Sequence, residues 1–180
     1  MNLYLRFLKV LARMLFAARQ DVLAESRLKF RVWPNDCDLN LHMNNGRYLT
    51  FMDLGRLYLL STTGIFKQVL RRRWAPVLSA AEINYIRPLG PLAEFELVTR
   101  ILTWDAKYFY LEQRFERAER LHASATVRGL FVARGQSVPT AEVLRVAGVQ
   151  TLAPPMPEVV AHWKELTALK RERAAREAGA

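Results

Sequence analysis

The sequence predicts an α+β domain, with one long buried helix wrapped by a curved antiparallel sheet of about five strands. Three observations carry that reading. A half-buried strand comes first, an almost continuously apolar helical segment follows, and after Pro76 four long segments alternate apolar and polar residues with short breaks between them.

In "RLKFRVW" (27–33), Leu28, Phe30 and Val32 alternate with Lys29 and Arg31, which predicts a strand with one apolar face, ending at Pro34. "GRYLTFMDLGRLYLL" (46–60) carries Tyr48, Phe51, Met52, Tyr58 and Leu59 around most of its surface, so a deeply buried helix is expected, with Gly55 allowing close approach of a neighbour. "GIFKQVLRRRW" (64–74) predicts a short second helix. The later strands are "VLSAAEINYIRPL", "FELVTRILTW", "KYFYLEQRFER" and "ASATVRGLFVAR", joined through "GPL", "DA" and "AER". "PTAEVLRVAG" is a short helix or loop, and "APPMP" (153–157) a stiff linker into a last helix whose end is a solvated charge run. The sheet covers its helix on one face only, and its long outer edges call for a second copy, in a homodimer or a dimer of dimers.

The expected organisation is a basic amphipathic helix over 1–26, the domain over 27–150, and the linker with its charged helix over 151–180. In the first segment, Leu3, Tyr4, Phe7, Leu8, Leu11, Leu15 and Ala18 form one stripe at helical period, while Arg6, Lys9 and Arg13 lie on another face. Those charges interrupt the apolar run far short of a spanning segment or a signal peptide. Two readings stand side by side: residues 1–20 pack on their own domain or a partner, or they lie on an anionic membrane surface. The body of the chain is expected to be soluble and cytoplasmic, peripheral at the inner membrane surface under the second reading.

The formal charge of +10 suggests an anionic partner such as a phosphate-bearing small molecule, a membrane surface or a nucleic acid, beside the plain reading of a basic protein. Nucleic acid ranks last, because the basic residues are dispersed and no recognition motif appears. A single cysteine, Cys37, excludes an internal disulfide framework and any multi-cysteine metal site. His42, His122 and His162 have no ligand-like spacing, so neither metal nor cofactor is expected.

The segment that collects chemistry is "NDCDLNLHMNNGRY" (35–48). Asp38, Asn40 and His42 stand at i, i+2 and i+4, so in an extended segment their side chains project to one side and Cys37 to the other. The start of the helix that follows carries unpaired N–H groups and partial positive charge, able to hold an oxyanion. A carboxylate there can take a proton from water or attack a carbonyl, while the amide and imidazole orient the reactants. The competing reading is helix capping, for which Asn44 and Asn45 are better placed than Asn40. Cys37 is a poor nucleophile, since flanking carboxylates raise a thiol pKa.

This stretch resembles the active-site turn of the hotdog-fold acyl thioesterases. Their 4-hydroxybenzoyl-CoA thioesterase-like branch has a D-x-D turn with a tyrosine ten residues after the second acid, as in "DCD" followed by Tyr48. Their acyl-ACP branch has D-x-N-x-H-x-N-N-x-x-Y, and "DLNLHMNNGRY" matches every specified position. "AAEINYIRPLGPLAEFEL" is similar to the family's first long strand and turn, and the likeness covers roughly 27–147. The resemblance implies that Asp38 is the catalytic acid accompanied by Asn40 and His42. It also implies that Asn45 and Tyr48 hold the turn on its helix at the substrate-binding end. Acyl-ACP enzymes of this kind use two tandem halves, and this chain has room for one, which separates it from that branch in substrate more than in chemistry.

Arg71, Arg72, Arg73 and Arg87, with Arg128 and Arg134, are candidate cations for the phosphates of acyl-CoA or for acidic acyl-ACP, against the plain reading of a solvated face. Phe51, Tyr85 and Phe109 either line an acyl tunnel or pack in the core. The expected activity is thioester hydrolysis. The alternatives are a non-catalytic, membrane-associated acyl-binding protein and, more distantly, a hydratase or dehydratase.

Overall fold

The computed structural model describes residues 2–178; residue 1 of the first expected helix and residues 179–180 of the last lie outside the described residues. The element order is α1 (Asn2–Leu15), β1 (Ser26–Arg31), a 3-10 turn (Pro34–Asp36), α2 (Asn45–Thr62), α3 (Ile65–Arg72), β2 (Ala75–Tyr85), β3 (Glu94–Trp104), β4 (Phe109–Arg117), β5 (Arg120–Ala133), β6 (Gln136–Val138), α4 (Thr140–Val146) and α5 (Glu158–Ala178). One antiparallel sheet runs β1-β3-β4-β5-β2, with the short β6 added to β5. All five long strands fall where the alternation places them.

The sheet curls around α2. Leu28, Leu97, Phe115, Ala125 and Val127 turn inward from the strands to meet Tyr48, Phe51, Met52 and Leu59 of the helix, all of them buried. Phe51 stacks edge-on against Phe95, 5.1 Å between ring centroids, with Phe30 beside it at 5.0 Å, and Phe95 continues the cluster to Phe115 at 5.5 Å. Burying rings of this size supplies most of the apolar stabilisation, about 25 cal/mol per Å² removed from water. Gly55 is required at the closest approach: a Cβ there would stand 2.6 Å from Thr99 Oγ1 and 2.8 Å from Leu97 Cδ2. The same crossing holds a buried amide. Gln113 Nε2 donates to the Met52 carbonyl and to Thr99 Oγ1, both at 3.0 Å, while its Oε1 accepts from Arg56 Nη1 at 2.7 Å.

Two edges of the architecture matter for function. β2 is the last strand of the sheet, and it is exposed along nearly its whole length, with no buried residue among its eleven. On the outer face, α5 packs through Val160 and Trp163 against Tyr110. Arg128 is buried beneath it, its guanidinium 4.9 Å from the centroid of Tyr108 and 5.7 Å from that of Trp163, which takes Arg128 out of the candidate substrate cations.

The first helix meets the domain through the side bearing Arg6, Val10 and Met14. Arg6 and Val10 are the buried residues, and Val10 and Met14 pack with Leu28, Leu54, Phe30 and Tyr58. Tyr4, Leu8 and Leu15 of the predicted stripe are 74%, 58% and 82% exposed. Tyr4, Leu8 and Leu15 therefore face away from the domain, while Arg6 faces into it beside Val10. Among the described residues no helix is long and apolar enough to cross a membrane.

Candidate active site

Asp36, the first acid of the D-x-D pair, ends the 3-10 turn and is almost wholly buried, with 1% of its surface exposed. Burial of a carboxylate requires paired donors. Arg6 supplies them from α1, with Nη1 at 2.9 Å from Oδ1 and Nη2 at 2.5 Å from Oδ2. The Trp33 N–H adds a bond to Oδ2 at 2.8 Å, and Arg47 Nε stands 3.7 Å from Oδ1. Arg6 also donates to the Arg31 carbonyl and lies 4.5 Å over the Phe51 ring. Asp36 is thus the knot that ties α1, β1 and the turn together. The helical period sets Arg6 on one face with Lys9 and Arg13 and carries no sign of this role.

Past Asp36 the chain makes a small hairpin. Cys37 and Met43 form an antiparallel bridge, the Asp38 N–H donates to the His42 carbonyl at 3.0 Å, and the Leu41 N–H donates to the Asp38 carbonyl at 3.0 Å. Leu41 closes the reversal in the left-handed region at φ 57°. The base of the hairpin is fixed by the Met43 N–H on the Leu89 carbonyl and the Asn44 N–H on the Asp36 carbonyl, both at 2.8 Å. The extended geometry expected for 38–42, with Asp38, Asn40 and His42 projecting together, is therefore replaced by a turn. Asp38 Oδ1 accepts the Asn40 N–H at 2.9 Å, the usual way an aspartate stabilises such a bend. Asp38 is half-buried, whereas Asn40 and His42 are exposed.

Asn44 caps α2, its side chain accepting the Gly46 N–H at 2.9 Å, and its carbonyl accepts the Arg47 N–H at 2.8 Å. Asn45 is the first residue of the helix, and its carbonyl accepts the Tyr85 hydroxyl at 3.3 Å. Tyr48 is buried between Tyr85 (5.0 Å) and Phe115 (4.7 Å), and burial, reinforced by Tyr85, pushes its phenol up to about 12. It stays neutral and anchors the start of α2 to the sheet. Cys37 is half-buried, and burial, with Asp36 and Asp38 beside it, raises its thiol pKa. His122 is buried with Nδ1 3.1 Å from the Pro88 carbonyl, and His162 is exposed on α5.

The basic candidates divide by position. Arg87 lies two residues beyond Tyr85, at the Asp38 end of the molecule, where its Nη1 donates to the Leu121 carbonyl at 2.7 Å. Arg71, Arg72 and Arg73 precede β2 at its other end, roughly 33 Å away along ten residues of strand. Arg72 lies 3.8 Å from Glu142 and 5.5 Å over the Trp74 ring. Within the chain the structure does not bring these three to the Asp38 turn.

A cavity of about 350 Å³ opens between the second half of α2 and the sheet, lined by Leu57, Leu60, Val77, Leu78, Phe109 and Phe131. Asp53 and Arg56, paired with each other, also border it. Leu57 lies twelve residues along α2 from Asn45, about 18 Å of helix rise, so cavity and turn lie at different ends of that helix.

Residues 32–164 match the thioesterase-like superfamily. Protein THEM6 of Xenopus laevis is 34% identical over 144 residues, covering 80% of this chain and 69% of that protein. Protein THEM6 of Danio rerio is 42% identical over 113 residues, which span 62% of this chain and only 56% of the relative. Among solved structures, a probable thioesterase from Bartonella henselae superposes with a TM-score of 0.59 at 25% identity, covering 64% of this chain and 98% of that one. The arrangement of α2 inside its curled sheet is the hotdog fold. The chain belongs to the thioesterase-like superfamily, whose chemistry is thioester hydrolysis.

Proposed function

We propose that this chain is a homodimeric acyl-CoA thioesterase in which Asp38 is the catalytic carboxylate. The observation that carries the reading is the placement of Asp38 in a rigid hairpin directly before the capped start of α2, inside the matched family segment. In the proposed reaction the Asp38 carboxylate takes a proton from water as the water oxygen attacks the thioester carbonyl carbon. The oxyanion is met by the Asn45 backbone N–H at the start of α2, the N–H groups of Gly46 and Arg47 being held by Asn44. Collapse breaks the C–S bond. The thiolate takes up the proton and leaves as CoA thiol, and the acyl group leaves as the carboxylic acid. Direct attack by Asp38, through a mixed anhydride that water then opens, gives the same products. Asn40 and His42, at the open rim of the hairpin, contact the incoming substrate.

The dimer is proposed through the exposed edge of β2. Two copies of an edge strand related by a two-fold axis pair antiparallel. That pairing carries the Val77–Leu78 end of one β2, beside its cavity, to the Tyr85 end of the other, beside its Asp38 turn. It also brings Arg71, Arg72 and Arg73 of one protomer towards the Asp38 and Arg87 of its partner, where cations meet the phosphates of CoA. An apolar pocket and a carboxylate that lie apart in one chain thus form one site in two.

Incubating the protein with a panel of acyl-CoAs and following free thiol tests the activity and the acyl preference together. Single-turnover hydrolysis in ¹⁸O-water tests for the direct route, because label enters the Asp38 carboxylate only where water opens a mixed anhydride at that carboxyl carbon. A flat thiol trace combined with measurable acyl-CoA binding would favour the non-catalytic acyl-binding reading.

A further inference from the structure

We infer that α1 is an interfacial helix that seats the protein on an anionic lipid surface, a property separate from the thioesterase reading. The rotation of α1 about its axis is fixed by its inward side. Arg6 is pinned to the buried Asp36, and Val10 and Met14 pack against Leu28 and Leu54. At 100° per residue this leaves Tyr4, Leu8, Leu11, Ala12 and Leu15 on the far side, with Leu5 next to them. Every one of these is apolar. Tyr4, Leu5, Leu8 and Leu15 are between 58% and 82% exposed, and Phe16 beyond the helix end is 88% exposed.

The charges beside this face select its occupant. Lys9 and Arg13 flank the apolar stripe along one side and are exposed, and no acid occurs before Asp21. Lys29 and Arg31 of β1 lie across the adjoining groove, paired with Glu96 and Glu94. An apolar stripe bordered by cations is what binds the plane between headgroups and acyl chains when the lipid is anionic. A second copy of the chain is the weaker occupant, because face-to-face contact of two such stripes sets Lys9 and Arg13 near their own counterparts, on molecules that each carry a charge of +10. The fourteen-residue helix lies along the surface, spanning about 21 Å of it.

Flotation of the full chain with vesicles tests this. The protein is expected to float with phosphatidylcholine vesicles containing phosphatidylglycerol, to stay largely behind with phosphatidylcholine alone, and to be released as salt rises. Lys9→Gln and Arg13→Gln should each weaken binding about five-fold, corresponding to roughly 1 kcal/mol per cation at the surface. The pair Leu8→Gln with Leu15→Gln should abolish flotation at the same melting temperature, since both side chains point into solvent. Wild-type protein that floats with neither vesicle overturns the inference. So does a leucine pair that splits an oligomer while flotation persists, which would assign the face to a second copy. The readout needs no substrate, so thioesterase activity stands or falls independently.

Discussion

Arg6 closes both of its terminal nitrogens on the carboxylate of Asp36, thirty positions later, at 2.9 and 2.5 Å. The pair is buried on both sides, and among the described residues the helix bearing Arg6 has no comparable polar hold on the domain. Removing one member of a buried pair costs more than the pair contributes, because the other charge is left in a poor solvent. Arg6→Ala is expected to lower stability by about 3 kcal/mol, at the lower end of the range for such breaks because Arg47 at 3.7 Å remains near Asp36. Arg6→Lys should recover only part of this, a point charge being unable to bond both oxygens in a fixed fork. Urea unfolding measures both; a loss under 1 kcal/mol for the alanine variant would show the clamp to be dispensable.

The same pair marks where the sequence is legible and where it stops being so. The five long strands and α2 were readable because apolar alternation and helical periodicity report burial directly, as at Leu28, Phe30 and Val32. The Asn44 cap followed from its place before the first apolar turn. Arg6 defeats such reading: local period assigns a charge to solvent, and its partner lies thirty residues away with no pattern linking them. Leu41 defeats it differently, since a leucine at φ 57° is an uncommon turn residue and the reversal at 38–42 is fixed by the hydrogen bonds of Asp38. β6, three residues long, carries no period to detect. The motif located the candidate site, while the side-by-side projection of Asp38, Asn40 and His42 depended on a backbone the chain does not adopt.

At Gly55 of α2 any side chain collides with the sheet. Its Cβ would meet Thr99 Oγ1 at 2.6 Å, Leu97 at 2.8 Å and the Gln113 amide at 2.9 Å, and the last is held by three hydrogen bonds. The helix-propensity gain of alanine over glycine, about 1 kcal/mol, opposes this. Overpacking of about 1–3 kcal/mol combined with disruption of the amide outweighs it. Gly55→Ala should therefore lower the melting temperature, and a rise would mean the helix can move outward freely.

Asp105 and Tyr110 predict how stability depends on pH. Burial raises the Asp105 pKa, but the N–H groups of Lys107 and Tyr108, Lys164 and the Tyr110 hydroxyl outweigh it and hold the carboxyl below its usual 3.8. A depressed acid contributes stability that is present above its unfolded pKa and lost as pH falls through the folded value. Tyr110 is the reverse case: burial first, then its bond to Asp105, pushes it up to about 12. Its contribution is whole below 10 and lost as pH rises towards 12. Asp105→Asn should flatten the acid limb and Tyr110→Phe the alkaline limb of a thermal-melt pH profile. An unchanged profile in both would remove this pair from the stability of the fold.

Cys37 gives a chemical check on the hairpin. Burial and the neighbouring Asp36 and Asp38 raise its thiol above 9.0, so little thiolate exists at neutral pH. Alkylation by iodoacetamide is expected to be slower than for a free cysteine and to accelerate in Asp38→Asn, which removes one of the two charges. Fast labelling of the wild type at pH 7 would contradict the described environment.

Asp38→Asn also separates chemistry from fold at the site itself. Among the described residues Asp38 makes one side-chain bond, as acceptor of the Asn40 N–H, and the amide oxygen of asparagine accepts that bond equally well. The hairpin, with its backbone bonds from Asp38 to His42 and from Leu41 to Asp38, is untouched. Melting temperature should therefore stay near that of the wild type. Acyl-CoA turnover should fall by roughly 10²–10⁴, the contribution of a positioned general base, with the larger losses if the carboxylate is itself the nucleophile. His42→Ala and Asn40→Ala, exposed at the rim, should act mainly on KM. Near-wild-type kcat in Asp38→Asn would remove the carboxylate from the reaction and point to Asp53, the acid bordering the cavity, as the next residue to replace.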